Sequence, residues 1–532
     1  MKLFRMVSAL VLGAALVAPA MAQDASLPAA RTKNTDAKAG WETDKKPGSV
    51  SWYLNWGWYD RKYKQDVVTQ KTFADTKIEV TYSYGDDDKL NTLFASGKLP
   101  DIMTIGSWTQ IAKDAKKWAI PLDTIAKKYD PYFFKTLKPD VVSWYTQPDS
   151  HLYGYPNFSN TDKDYKAGYV YGSQAFLVRG DMYAALGKPD MTTPDGFLKG
   201  LRAAKAKYPD INPIGFNAFG GGESTLGAIL QDFLAISEFK NGAYYDRYTD
   251  PEYLRWMRVF NTAYKEELIS DDIFADMNQN FEENIQRGKY FAILADGVMT
   301  GVKDQLIKAA QADPTKTYLA IDGPKNSKGE ANITRNAGIQ GWTLTFISKD
   351  CKDPETAIHL ITYMLSEQGQ MVSKFGVEGQ TYDVVKGVPT LKPAIRKIME
   401  TDQAKFDKEI GFGQTYMLTD EAWQVKNGYY QSNINSIVKP ITEWMRLHAQ
   451  GNSQMSNSEP DDRTTESRNL TNIRQKRAEV LLNAVMASSD ADFDGYWKEY
   501  NDYKAANGWD KIAAIQTAKI KENRIKLGYD KK

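Results

Sequence analysis

Cysteine is almost missing from this chain. Cys351 stands alone in 532 residues, which excludes a disulfide framework and a thiolate metal cluster. Histidine is nearly as scarce: His151, His359 and His448 form no HExxH pair and have no cysteine partner, so each reads as an ordinary packed or surface residue. There is no GxSxG elbow and no GxxxxGK loop followed by Ser or Thr, so two common catalytic frameworks lack their local motif. An excess of one charge is missing too. Sixty-eight Lys and Arg against 67 Asp and Glu leave a formal charge of +1. That balance offers no basic face for nucleic acid and little pull toward an anionic membrane. Past the first two dozen residues, no apolar run approaches the roughly twenty residues that a bilayer span needs.

The first segment has its own character. Lys2 and Arg5 form a charged start, Met6 to Ala20 an apolar run, and Ala20-Met21-Ala22 an A-x-A cleavage pattern. Residues 1–22 therefore read as a secretory signal cut after Ala22, with a membrane anchor as the other reading. No cysteine lies near the cut, so lipid attachment there is excluded. A lipid-free exported protein of this kind suits the periplasm of a Gram-negative bacterium. Residues 23–47 are polar, lysine-rich and poor in large apolar side chains, and are expected to be a flexible leader.

What the chain does have is aromatic residues, 12% of the total, with 13 Trp and 31 Tyr. Trp and Tyr offer flat apolar faces to the C–H faces of sugar rings, and a polar tip for a hydroxyl. Their placement matters more than their number. Ile78, Val80, Tyr82 and Tyr84 alternate with polar residues as in a strand. Asp86 to Asp88 suit the start of a helix, which Gly97 and Pro100 close, and Ile102 to Ile105 is a second strand. Strand, helix and strand within about thirty residues is a βαβ unit. Ligands of open parallel sheets bind beyond the carboxyl ends of the strands, and Trp108 stands just past one. The first strand, Val50 to Leu54, ends in Asn55 to Asp60, which brings Trp56 and Trp58 to the same rim. Further short strands (Phe176–Arg179, Ile214–Phe216, Tyr290–Leu294, Tyr318–Ile321, Gly341–Ile347) alternate with helices, and the class is α/β.

Other motifs have plainer explanations. Asp86-Asp87-Asp88 is accounted for by helix capping rather than metal binding, and no stretch satisfies the EF-hand pattern. Gly220-Gly221-Gly222 could cradle an anion but reads better as a loop. Acidic pairs for glycoside hydrolysis have too many candidates among 67 carboxylates.

At Leu90-Asn91-Thr92-Leu93-Phe94-Ala95-Ser96-Gly97-Lys98-Leu99-Pro100-Asp101 the chain resembles the family 1 extracellular solute-binding proteins of ABC importers, nearest the lipoprotein-type and alginate-oligosaccharide-binding branch. Leu152 to Pro156, Phe176 to Met182, Gly341 to Leu344, Lys352 to Ala357, Phe375 to Tyr382 and Asp492 to Tyr496 agree in order. The resemblance implies a two-lobed periplasmic binding protein fold of type II. Each lobe would be a mostly parallel sheet flanked by helices, with a helix-rich C-terminal part. The lobes are expected at 48–168 with 296–345, and at 169–295 with 346–532. It also implies a protein that captures an oligosaccharide by cleft closure and delivers it to ABC permease subunits; a monomer is expected, and the residues themselves lead us to expect no catalytic group, cofactor or metal. A peptide or other polar solute is the alternative cargo, and a secreted carbohydrate-active enzyme the rival from another class.

By that analogy the cleft is lined from Asn55 to Asp60, Gly106 to Trp108, Lys163 to Tyr171, Asp296-Gly297 and Gly411 to Tyr416. Within these stretches and beside them the expected ligand contacts are Trp56, Trp58, Tyr59, Arg61, Trp108, Lys166, Tyr169, Tyr171, Asp296, Arg335, Phe412, Gln414 and Tyr416. Two departures weigh against alginate itself. Lys207 to Pro213 lacks the glycine and ligand spacing of the calcium loop in alginate-binding relatives, and Gly297 replaces their tryptophan. Lys166, Arg61 and Arg335 remain suited to a uronate carboxylate, so acidic sugars stay open.

Overall fold

A computed structural model describes residues 27–59, 61–216, 225–275, 278–412, 418–428 and 434–531. The first strands are β1 (Gly48–Leu54), β2 (Ile78–Tyr84), β3 (Ile102–Gly106), β4 (Ala119–Ile120) and β5 (Gly154–Pro156). Next come β6 (Ala175–Arg179), β7 (Asn212–Phe216), the small hairpin β8 (Phe239–Lys240) and β9 (Ala243–Tyr244), then β10 (Tyr290–Ala295) and β11 (Tyr318–Ala320). The last are β12 (Thr343–Ser348) and the hairpin β13 (Tyr382–Val385) and β14 (Val388–Leu391).

Two sheets build two lobes. The first has the order β2-β1-β3-β12-β4, with β5 also on β12. The β1–β2 and β1–β3 pairs are parallel, as the βαβ stretch requires, and β12 returns antiparallel between β3 and β4. All five residues of β3 are buried, as expected of a strand covered on both faces. Inside it, Trp52 Nε1 donates to Thr104 Oγ1 at 2.8 Å, and Thr104 meets Thr345 at 2.8 Å. The connecting helix Asp87–Ser96 begins where Asp86 accepts from the Lys89 amide and ends at Gly97, with φ +65°. The second sheet has the order β11-β6-β10-β7, with only β10 and β7 parallel. Both sheets are thus mixed rather than mostly parallel, because late strands return antiparallel into each.

Three segments cross between the lobes and are hydrogen-bonded to one another. Asn157 N donates to Thr343 O, Ser173 N to Arg335 O and Thr419 N to Asn157 O. The crossings sit elsewhere than the sequence suggests. Residues 318–320, expected in the first lobe, pair with β6 of the second. The helix Pro354–Leu365, expected in the second lobe, is buried throughout its length and packs into the core of the first. Local pattern identifies such elements but not the sheet that takes them. The C-terminal helices Thr465–Val485, Asp490–Ala506 and Trp509–Lys526 do pack on the second core, through Ile473, Trp497 and Ile512 among others.

The expected leader is also corrected for its described part. Residues 27–47 form a strap on the first lobe. Arg31 Nη1 donates to Asp353 at 2.6 Å and its Nε to Asp44 at 2.7 Å, while its amide donates to Glu355. Gly40 N donates to Asp130 at 2.9 Å, and the ring of Trp41 meets Tyr363 edge-on at 5.1 Å. Gly40 has no room for a side chain: a Cβ there would lie 2.1 Å from His359 Nε2. Distant partners, not local apolar residues, fix this segment.

Candidate functional site

Each sheet presents one edge to the space between the lobes, and the two edges differ in chemistry. On the first lobe β1 and β3 end there and antiparallel β12 begins there, with Thr343 opposite Gly106. Asn55 fixes the end of β1: its amide donates to Thr104 O, and its side chain donates to Asp87 and accepts from Tyr53. Trp56 and Trp58 follow. Trp342, just before β12, meets Trp56 at 4.6 Å and 71°, and lies nearly parallel to Trp58 at 6.4 Å and 25°. Trp108 folds back over Gly106, where a Cβ would lie 2.8 Å from the indole. Trp56, Trp108, Asn55 and Asp86 to Asp88 line one open recess. Trp58 is 63% exposed and Trp108 56% exposed, a large apolar area for two side chains to leave in water.

On the second lobe β10 ends and antiparallel β6 begins at the facing edge, Ala295 opposite Ala175. This rim is polar. Ser173 Oγ donates to Asp296 at 2.8 Å, and Asn336 Nδ2 donates to Tyr171 O at 2.9 Å. Gly297, the departure noted in the sequence, has φ +59° and opens the turn Val298–Val302. That conformation suits glycine and would strain a tryptophan.

Beside the second rim, and apart from the tryptophan recess, lies a cavity of about 250 Å³. Tyr171, Ser173 and Asn336 of the second rim face Phe158, Lys374 and Glu421 across it. Burial pulls the Lys374 amine below its usual range, and the Glu421 carboxylate opposes that shift. Lys374 and Met299 also line an adjoining chamber that contains Phe412.

The structure therefore brings Trp56, Trp58 and Trp108 to one rim, and Tyr171 and Asp296 to the other. The remaining expected contacts are more scattered. Tyr59 is 3% exposed and packs among Tyr82 and Tyr84 beneath the rim. Arg61 pairs with Asp407 at 3.7 Å, on the flank of the adjoining chamber. Arg335 donates to the carbonyls of Gln450 and Gly451 at 3.0 Å each and lies 3.5 Å from Asp232. Tyr169 packs against the second core, and Lys166 is exposed at the end of the short helix Asp162–Lys166. Gln414 and Tyr416 lie outside the described residues, as does Gly220-Gly221-Gly222. The Asp86 carboxylate caps its helix. Sequence reasoning missed Trp342, Lys374, Asn336 and Glu421. For Trp342 a signal existed in Gly341-Trp342 before a strand, but only the antiparallel return of β12 takes it to the rim.

The family model of bacterial extracellular solute-binding proteins matches residues 57–371. No curated protein matches the chain. Solved structures do. FusA of S. pneumoniae in complex with kestose has 16% identity, covering 90% of this chain and 99% of its own, with a TM-score of 0.62. An extracellular solute-binding protein from Bifidobacterium longum subsp. infantis has 14% identity, 90% and 98% coverage and a TM-score of 0.61. The alginate-binding protein AlgQ2 without calcium ion has 17% identity, 91% and 100% coverage and a TM-score of 0.60. At such identities these likenesses establish the fold, which is the α/β, two-lobed fold of solute-binding proteins and not that of an enzyme. They single out no branch, the alginate-binding one included.

Proposed function

The chain belongs to the family of bacterial extracellular solute-binding proteins, and from that premise we propose that it captures an oligosaccharide between its lobes for an ABC importer. The observation that carries this reading is the tryptophan rim. Trp56, Trp58, Trp108 and Trp342 offer apolar ring faces to the interlobe space from one edge of the first sheet. Sugar rings have apolar C–H faces and a hydroxylated circumference, so they call for flat rings on one side and hydrogen-bonding groups around the edge. Asp296, Ser173 and Asn336 supply the latter from the facing lobe. A ligand touching both rims favours the closed form over the open one, and that differential affinity is the mechanism of capture. No bond is made or broken.

In this reading the first 22 residues are a signal removed after Ala22, the protein works in the periplasm as a monomer, and the closed complex docks on permease subunits of the inner membrane. Two similar folds, one in complex with kestose and one an alginate-binding protein, favour saccharide cargo as a class. With Gly297 in place of the tryptophan and the calcium loop replaced, a ligand other than alginate fits better. A melting-temperature screen of purified protein against neutral and uronate oligosaccharides, with chromatography of the mixtures, tests the reading. The expected result is a ligand-dependent rise in Tm with the sugar recovered intact. Product formation, or no shift with any saccharide while peptides do shift it, would overturn it.

A further inference from the structure

The C-terminal end of the chain is built into the second lobe, yet it touches the first. The helix Trp509–Lys526 packs on the second core through Ile512. It also carries the loop 451–464. Asn523 Nδ2 donates to the carbonyls of Gln454 and Ser456 at 2.9 and 2.7 Å, and Lys519 Nζ to that of Glu459 at 2.8 Å. Helix and loop thus form one unit of the second lobe.

That unit reaches the first lobe at two places. At one, Asp462 of the loop accepts from Lys113 Nζ at 2.7 Å. Lys113 ends the short helix Gln110–Lys113, which Thr109 caps directly after Trp108, so the ion pair lies at the flank of the tryptophan rim. At the other, the long helix stops in a left-handed turn, with Gly528 at φ +72° and Tyr529 N donating to Arg524 O at 2.8 Å. Leu527 packs against the first core, and Lys526 Nζ lies 5.7 Å from the ring of Trp144. The Tyr529 hydroxyl donates to Asp162, shortly past the crossing at Asn157.

We propose that this unit is a clasp, which biases the lobes toward each other and so sets how tightly cargo is held. Rotation of the lobes about the crossing segments carries contacts that lie off those segments apart. The clasp contacts exist with the lobes together and are lost as they part, so their free energy adds to closure. Their shares differ. The Lys113 and Asp462 side chains are 48% and 64% exposed, so their pair is screened and weak. Leu527 removes apolar surface from water and contributes more. A ligand touching both rims favours the same arrangement, so clasp and cargo act in one direction. Only the affinity part of the proposal rests on the saccharide reading above.

The test first measures the lobes without cargo. Spin labels on Lys98→Cys of the first lobe and Lys199→Cys of the second, both exposed positions, report the interlobe distance by pulsed electron paramagnetic resonance. Cys351 is buried and stays unlabelled. The variants are a chain ending at Lys526 and Lys113→Glu, and their melting temperatures check folding. The expected result is a longer mean distance in the shortened chain and a smaller lengthening in Lys113→Glu, which adding Asp462→Lys reverses. Affinity for an oligosaccharide that binds should fall about tenfold in the shortened chain and about twofold in Lys113→Glu, again restored by Asp462→Lys. Unchanged or shorter distances in the folded variants overturn the proposal, and so does unchanged or tighter binding in the shortened chain. Longer distances with no saccharide bound by the wild type would keep the bias between the lobes and sink saccharide capture. Saccharide binding with distances that do not move would do the reverse.

Discussion

The two rims of the cleft are built on the same end of their sheets yet share almost no chemistry. The first lobe exposes indole rings that pack on one another, Trp342 against both Trp56 and Trp58. The second exposes a serine, an aspartate and an asparagine already engaged in hydrogen bonds. The contrast teaches a division of labour. Stacking rings bind without needing a particular hydroxyl, so the first rim supplies affinity. Oriented polar groups discriminate between hydroxyl patterns, because an unmatched buried partner is costly. Affinity and specificity should therefore respond to mutation of different lobes.

The largest effect should come from removing two rings at once. In Trp56→Ala with Trp58→Ala, affinity for the oligosaccharide identified by the melting screen should fall at least tenfold at unchanged Tm, from roughly 1 kcal/mol or more per stacked ring. Asp296→Asn on the other rim should weaken the best ligand only several-fold, as loss of a charged hydrogen-bond acceptor does. It should change the ranking among sugars more than the first pair of substitutions does, which calorimetry over the same panel would show. Equal shifts in ranking from both rims would erase the division.

A third variant sharpens the comparison by leaving both rims alone. Arg31→Ala unfastens the strap from Asp44, Asp353 and Glu355. It should lower Tm by a few degrees and leave ligand affinity unchanged, since the strap lies on neither rim.

The smallest effect concerns pH. Burial raises the Asp130 carboxyl to about 7 and lowers His359 to about 4, and both lie beneath the strap. Asp130 binds its proton more tightly when folded, so its contribution to stability is full below its unfolded pKa near 4 and is lost as pH rises to about 7. His359 acts oppositely: its contribution is full above 6.5 and is lost as pH falls toward 4. Over most of that range the two oppose each other in the wild type. Asp130→Asn should expose the histidine alone, so that Tm falls on acidification from pH 6.5 to 4 more steeply than in the wild type.

What could be read from the sequence was whatever local chemistry decides. Alternation in Ile78 to Tyr84, the Asp86 cap and the Gly97 stop fixed a βαβ unit that the structure contains with the same elements. The same unit put Trp108 beside Trp56. Long-range choices were not legible. Nothing around Tyr318 says that β11 joins the second sheet, and nothing around Pro354 says that its helix returns to the first. The strap looked like a flexible leader because its composition is polar, whereas its order comes from carboxylates more than three hundred residues away. Trp342 belongs to the Gly341 to Leu344 motif, but its place on the rim is not legible there, because it depends on β12 inserting between β3 and β4.

The most direct test of the account is a calorimetric titration of the wild type and the Trp56→Ala, Trp58→Ala double variant with the same oligosaccharide, followed by chromatography of the recovered sugar. The account predicts saturable one-to-one binding to the wild type, a loss of tenfold or more in the variant, and sugar recovered unchanged from both. Wild-type affinity in a folded double variant, or cleaved sugar, would contradict it.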